Sequence, residues 1–196
     1  DDISRVQLVS DSGSIEKDLR KGVQLGRVDE ALMQSSLERI HTTTNLDEVA
    51  PLADLAIEAA PEVIELKLQI FARLDELCPP HTILATNTST LSPSEIGAAT
   101  ARPQKVIAMH FFNPVHLMKL VEVIRSLETS DETCETALAV AHQMGKETVV
   151  VNESPGFVTS RMSALVGNEA FYMLMEGVAS AEDIDRAIKL GLNYPM

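Results

Sequence analysis

Apolar positions along the chain change period several times, and each change marks an element. Residues 6–9, VQLV, form a short apolar run ending at Ser10 and Asp11, and read as a strand. Between Ile15 and Ile40 the segments are charged but carry apolar Ile15, Leu19 and Val23 at helical spacing, with a break at residues 22–26, so two helices are expected. A TTTN turn follows, then a short helix over 46–49 and a buried strand over 55–60, LAIEAA, holding one carboxylate, Glu58. There the period shifts from two to three and four. Val63, Leu66, Ile70, Leu74 and Leu77 line one face of an amphipathic helix over 62–77, which Pro79 and Pro80 stop. Strand character resumes at 83–85.

Three more apolar runs, 106–109, 120–124 and 148–151, read as strands. The alternation of strand and helix predicts the α/β class, with a parallel sheet covered by helices on its faces. Between the last two strands, residues 131–144 read as a helix with Asp and Glu in its first turn and Gly145 at its end, in agreement with helix-dipole and capping preferences. Beyond Asn152 the strands stop. Residues 157–176 form one long helical run, and Ser180 with Asp183 opens another in the manner of a capping box, Asp replacing the usual Glu. A domain boundary is therefore expected near residues 152–155, separating an α/β domain, 1–152, from the start of an all-helical domain, 153–196. Internal repeats and low-complexity tracts are absent.

Composition narrows the function classes. With 29 acidic against 16 basic residues the net charge of -13 argues against nucleic acid or a membrane surface as partner, since both select clustered Lys and Arg. An acidic cytoplasmic protein is the plain expectation. Cys78 and Cys134 are too few and too far apart for a disulfide framework or a metal knuckle, so both are expected as reduced thiols, and no metal site is implied. No apolar stretch reaches transmembrane length.

Candidate chemistry concentrates in residues 105–125, KVIAMHFFNPVHLMKLVEVIR, where two apolar runs bracket a polar turn. His110 closes the first run and Glu122 sits inside the second between Val121 and Val123, where an acid is buried only if something charged or hydrogen-bonding meets it. An imidazole accepts a proton near neutral pH, and a carboxylate beside it fixes its tautomer. Spacing alone favours a strand-end histidine bonded to backbone and a glutamate paired with a surface lysine. Open parallel sheets bind ligands beyond the carboxyl ends of their strands, which gives weight to Glu62, to residues 87–89 and to residues 110–113. Asn87, Thr88 and Ser89 suit hydrogen bonding to a cofactor amide or substrate oxygen, although turn chemistry produces the same cluster. Glu62 and Lys67 lie five apart, off the favoured helical spacing of four, and on spacing read as solvated charge. Asp11, directly after the first expected strand, suits a ribose hydroxyl but is also a common turn residue. The remaining histidines, 41, 81, 116 and 142, read as surface residues. No G-x-G-x-x-G occurs.

Four ordered motifs, TNTS before the turn, HFFNP, the MKLVEV strand and the later SPGF, closely resemble the L-3-hydroxyacyl-CoA dehydrogenase family, and within it the bacterial 3-hydroxybutyryl-CoA dehydrogenases. The resemblance covers nearly the whole chain. It implies a Rossmann-like domain followed by a helical substrate and dimerisation domain, NAD as cofactor, a short-chain L-3-hydroxyacyl-CoA as substrate, and a homodimer. It further implies that His110 removes the 3-hydroxyl proton, that Glu122 orients His110, and that Ser89 bonds the substrate oxygen and lies against the cofactor with Asn87 beside it. Glu62 and Lys67 are implied as further cofactor contacts, which replaces the solvated-charge reading of that pair; Asp11 and Asn113 are expected as cofactor contacts as well. Where many members have asparagine before the arginine that follows SPGF, this chain has Ser160, so a shorter hydroxyl must reach the substrate.

The family's first strand and its glycine loop are expected to precede residue 1. The chain is therefore expected to be part of a longer protein, lacking segments at both ends and within about residues 11–15. A free hydroxyacid or sugar-acid dehydrogenase of the same fold, and a non-catalytic binding protein that kept the fold, are the alternative functions.

Overall fold

The structure is a computed structural model that describes the backbone of residues 2–194 and the side chains of residues 13–194. The chain divides into two compact units, Asp1–Ala53 with Leu77–Pro79, and Asp54–Glu76 with Pro80–Met196.

The first unit is helical. α1 spans Asp2–Gln24, α2 Glu30–Glu38 and α3 Leu46–Val49. The strand expected at residues 6–9 is therefore corrected: those residues belong to α1. Four residues, three of them apolar, are too few to separate a period of 2 from one of 3.6, and no proline interrupts Asp2–Gln24 to stop a helix. α1 ends where the break was expected. Gly26 takes φ +65°, its N–H donates to the Val23 carbonyl and the N–H of Arg27 to that of Gly22, which together satisfy the last carbonyls of the helix. Asp29 caps α2 by accepting from Leu32 N at 2.7 Å, and Asn45 caps α3 from Asp47 N at 3.1 Å.

The second unit holds five strands: β1 Leu55–Glu58, β2 Ile83–Thr86, β3 Val106–Phe111, β4 Leu120–Arg125 and β5 Glu147–Asn152. They lie side by side in sequence order. Helices α4 (Ile64–Leu77), α5 (Pro93–Gly97), α6 (Asp131–Gln143), α7 (Thr159–Met175) and α8 (Ala181–Gly191) complete the unit. Each expected strand from residue 55 onward is present, as is each expected helix; the short α5, which Ser92 caps and Pro93 opens, was not anticipated.

The all-parallel expectation needs one correction, because β3 and β4 pair antiparallel while the other three pairings are parallel. Residues 112–119 join β3 to β4, and that is fewer than the dozen or so a crossover requires, so the chain must turn back beside itself. This reversal places His110 directly opposite Glu122 in the ladder. Opposed residues in an antiparallel pair share one face of the sheet, so the two side chains meet by register.

Alternation divides the core between the two faces. Ile107, Met109, Val121 and Val123 pack with Cys134, Ala137 and Ala141 of α6 on one face, and Ala108 and Ile124 pack with Val151 and Phe157 on the other. Leu84, Ile107, Met109 and Ile124 are completely buried, each contributing about 1.5–3 kcal/mol relative to exposure. Glu122 thus shares its face with Ile124 and Phe157, not with the valines beside it in sequence. Both cysteines are buried and neither forms a disulfide among the described residues, and burial pushes the Cys134 thiol up. Among the described residues no helix is long and apolar enough to cross a membrane, and no group of three or more His, Cys, Asp or Glu could hold a metal ion.

Candidate active site

The carboxyl ends of β1, β2 and β3 carry a connected set of polar side chains. Glu58 ends β1; its Oε1 accepts from Lys67 Nζ at 2.7 Å and from Ala60 N at 2.5 Å, and its Oε2 from Thr86 Oγ1 at 2.7 Å. The Lys67 ammonium is completely buried and also reaches the Ala60 carbonyl at 3.1 Å and Glu62 Oε2 at 3.4 Å. The solvated-charge reading of Lys67 is therefore wrong: its buried ammonium donates to the Glu58 carboxylate and the Ala60 carbonyl and has the Glu62 carboxylate within ion-pair distance, the compensation a buried charge requires. The helical period of α4 points Lys67 inward along with Phe71 and Leu74, a placement that its five-residue spacing from Glu62 does not disclose.

Glu62 acts on the next strand end. Its Oε1 accepts from the Thr88 hydroxyl, from Ser89 N at 2.9 Å, and from Thr90 N and Oγ1 at 3.1 and 3.2 Å. Partial burial acts to raise the carboxyl's pKa, but these donors and the Lys67 charge outweigh it and hold the carboxyl below the usual range. One carboxylate therefore fixes the backbone of residues 88–90, and with it the place of Ser89.

Ser89 and His110 meet across the ends of β2 and β3. Ser89 Oγ lies 3.0 Å from His110 Nε2, and His110 Nδ1 lies 2.8 Å from Glu122 Oε2. An ionised carboxylate only accepts, so Nδ1 carries the proton and donates it to Oε2. In the neutral ring Nε2 then presents a lone pair, and the Ser89 O–H donates to it. Phe112 and Phe157 stand against the imidazole at centroid distances of 4.6 and 5.8 Å, and the histidine is 5% exposed.

Glu122 is completely buried, and α7 satisfies the rest of it. Val158 N and Thr159 N donate to Oε1 at 3.3 and 3.0 Å, and Thr159 Oγ1 donates to Oε2 at 3.1 Å. The SPGF motif makes this approach possible. Gly156 sits at φ +73°, where a Cβ would come within 3.0 Å of Arg161 N, and Phe157 follows at φ +50°. The turn delivers the free N–H groups at the start of α7 to the carboxylate, a favourable site for negative charge.

Asn87 joins the group through its backbone N–H, which donates to the Glu58 carbonyl at 2.7 Å, and through Oδ1, which accepts from Phe111 N at 2.9 Å. That fixes the amide orientation and leaves Nδ2 without a partner among the described residues. The structure thus brings Asn87, Ser89, His110, Glu122, Glu62 and Lys67 together. Asn113 is exposed in the 112–119 connection, and the Ser160 hydroxyl in the first turn of α7 makes no hydrogen bond among the described residues. Asp11 falls in α1, and its side chain lies outside the described residues. Sequence reasoning missed Thr159 and the connection of Glu58 to Lys67. Only Glu58 had left a signal, as a carboxylate inside a buried strand. Beside Phe157 a cavity of about 370 Å³ is lined by Thr90, Leu91, Ser92, Ser94, Leu127 and Glu153, among others, with Glu153 accepting from the hydroxyls of Ser92 and Ser94.

A family model described as 3-hydroxyacyl-CoA dehydrogenase, NAD binding domain, matches residues 1–154, and one described as 3-hydroxyacyl-CoA dehydrogenase, C-terminal domain, matches residues 156–196. A probable 3-hydroxybutyryl-CoA dehydrogenase of Bacillus subtilis is 50% identical over 182 residues, covering 93% of this chain and 63% of that protein. The 3-hydroxybutyryl-CoA dehydrogenase of Clostridioides difficile is 47% identical, with 93% and 64% covered. The crystal structure of (S)-3-hydroxybutyryl-CoA dehydrogenase from Ralstonia eutropha superposes with a TM-score of 0.92 at 40% identity, covering 96% of this chain and 66% of that one. The chain thus spans a little under two thirds of the length of the first two relatives.

Proposed function

The chain belongs to the 3-hydroxyacyl-CoA dehydrogenase family, and from that premise we propose that it serves the NAD-dependent oxidation of the 3-hydroxyl of a short-chain L-3-hydroxyacyl-CoA to the 3-ketoacyl-CoA. The observation that carries this reading is the state of His110, whose Nδ1–H is committed to Glu122 at 2.8 Å while Nε2 remains an acceptor. A general base needs a lone pair at a fixed place, and Nε2 supplies one when the Ser89 O–H turns from it to the substrate oxygen.

The donor set at the ends of β2 and β3 suits the nicotinamide half of the cofactor: an amide NH2 on Asn87 free to bond a carboxamide or ribose oxygen, and a hydroxyl on Ser89. The β1–α4 connection, residues 59–63, contains no glycine, so it offers no pyrophosphate cradle of the Gly-rich kind. NAD, when bound, supplies the hydride acceptor. His110 Nε2 takes the proton from the substrate hydroxyl as that oxygen becomes a carbonyl. Ser89, 3.0 Å from Nε2, donates to the same oxygen and holds it in place while charge develops. Glu122 keeps the ring in the productive tautomer and stabilises the imidazolium that forms. Glu62 and Lys67 support the cofactor side by fixing residues 88–90 and the end of β1. Asn113 and Asp11 remain proposed cofactor contacts and Ser160 a proposed substrate contact. The cavity beside Phe157 offers room for an acyl group.

We assign residues 1–152 to the dinucleotide-binding part and 153–196 to the helical part. The exposed Met162, Leu165, Phe171 and Met175 of α7 support a homodimer formed through that helical part. The acidic balance and the two buried cysteines outside any disulfide support a cytoplasmic setting. Rates with NADH of acetoacetyl-CoA and of free acetoacetate, measured on the full-length protein, test the reading. Preference for the thioester is expected; preference for the free acid points to a hydroxyacid dehydrogenase, and no turnover of either to a binding protein.

A further inference from the structure

We propose that Thr159 is a positioning residue for the base: its hydroxyl fixes the Glu122 oxygen that holds His110, and so ties the geometry of the imidazole to the start of α7.

A carboxylate has about four lone-pair sites, and Glu122 has four donors. Val158 N and Thr159 N take Oε1; His110 Nδ1 and Thr159 Oγ1 take Oε2. The two oxygens are therefore held by different means. Oε1 is held by backbone, which any residue at position 159 other than proline supplies. Oε2 is held by one side chain besides the histidine, and that side chain is Thr159. With its hydroxyl removed, the carboxylate keeps its anchor at Oε1 but gains freedom to pivot about it, and the oxygen that moves is the one that orients the imidazole. Glu122 is completely buried, so no bulk water takes the vacated position at low cost. A methyl group placed there instead leaves Oε2 one bond short in a dry site.

The position in the chain gives this bond a second consequence. Thr159 is the first residue of α7, and the next residue is Ser160. A displacement of the helix start therefore reaches His110 through two hydrogen bonds, Thr159 Oγ1 to Glu122 at 3.1 Å and Glu122 to His110 at 2.8 Å. Assembly of the base is thereby made conditional on the seating of the helix that begins the C-terminal segment.

The test compares Thr159→Val, which keeps shape and loses the donor, with Thr159→Ser, which keeps the donor, in the full-length protein. Its kinetic arm rests on the dehydrogenase reading; its spectroscopic arm does not. In the cofactor-free protein the His110 Nδ1–H proton resonance reports the bond to Glu122 directly. In Thr159→Val that resonance is expected to move upfield or to be lost to exchange with water, and in Thr159→Ser to return to its original position. For acetoacetyl-CoA reduction, kcat is expected to fall roughly three- to tenfold in Thr159→Val, with KM for both substrates within about twofold, and to recover in Thr159→Ser. An unchanged resonance in Thr159→Val overturns the proposal whatever the rate does, and so does a Thr159→Ser variant that behaves like the valine form. A shifted resonance in a protein whose wild type turns over no acyl-CoA sustains the positioning role and rejects the dehydrogenase reading instead. Should Thr159→Val fail to fold, Thr159→Ala is read by the same two measurements.

Discussion

Ser89 Oγ and His110 Nε2 stand 3.0 Å apart although 21 residues separate them in the chain, and the opposite nitrogen of the same ring is held by Glu122 from a third strand. The imidazole is thus gripped at both nitrogens by residues that only the sheet brings together. Its tautomer and its direction are set before any substrate arrives, which is the preorganisation proton transfer needs.

Replacing His110 by glutamine is expected to leave the fold intact and to lower kcat/KM for acetoacetyl-CoA by about 10²–10⁴-fold. Ser89→Ala, which removes the proposed donor to the substrate oxygen, should lose about ten- to a hundredfold. Steady-state kinetics with circular dichroism on the same samples check both; a well-folded His110→Gln protein with wild-type turnover removes the base assignment.

For Glu122 two substitutions separate chemistry from folding. Glu122→Gln keeps an acceptor for the α7 N–H groups but offers an NH2 where the His110 proton points, so turnover should fall by at least about a hundredfold with little change in stability. Glu122→Leu leaves the N–H groups of Val158 and Thr159 buried without acceptors and should cost about 1–3 kcal/mol in urea unfolding. Equal stability losses in the two variants contradict this division.

Lys67 and Glu58 form a fully buried ion pair at 2.7 Å. Lys67→Met strands the Glu58 charge and is expected to destabilise the protein by about 3–5 kcal/mol, whereas the double variant Glu58→Gln/Lys67→Met should recover much of that loss. Denaturant unfolding of the two single variants and the double measures the coupling, and strict additivity would show that the pair does not interact.

Glu62 gives a pH dependence whose sign is fixed. Its folded-state pKa is depressed, so the stability it contributes is fully present above the unfolded value, about 4.3 for glutamate, and is lost as pH falls through the lower native value. Melting temperatures of the wild type and Glu62→Gln should therefore differ at about pH 6 and converge as the pH drops below about 4. A gap that is the same at both ends of this range rules out the carboxylate as its source.

The period of apolar residues determined the strands from residue 55 onward and helices such as α4, because periods of two and of 3.6 place side chains on faces whatever the chain does later, but it misread part of α1 as a strand and left α5 out. Motifs around His110, Ser89 and SPGF pointed to the chemistry through their resemblance to a family, and the burial of Glu122 was legible because an acid inside an apolar run must find a partner. The identity of that partner was implied by the resemblance but not legible from spacing. It depends on the antiparallel return of β4, which sets His110 opposite Glu122 by register, and on the turn at Gly156 and Phe157, which brings Thr159 to the same carboxylate. Lys67 shows the same limit in reverse: five residues from Glu62 it reads as solvated, yet α4 turns it into the sheet beneath Glu58. Sequence spacing specifies neighbours only along one helix or one strand. These contacts join the ends of different elements, and the order and direction in which those elements pack is settled only when the whole apolar surface is buried at once.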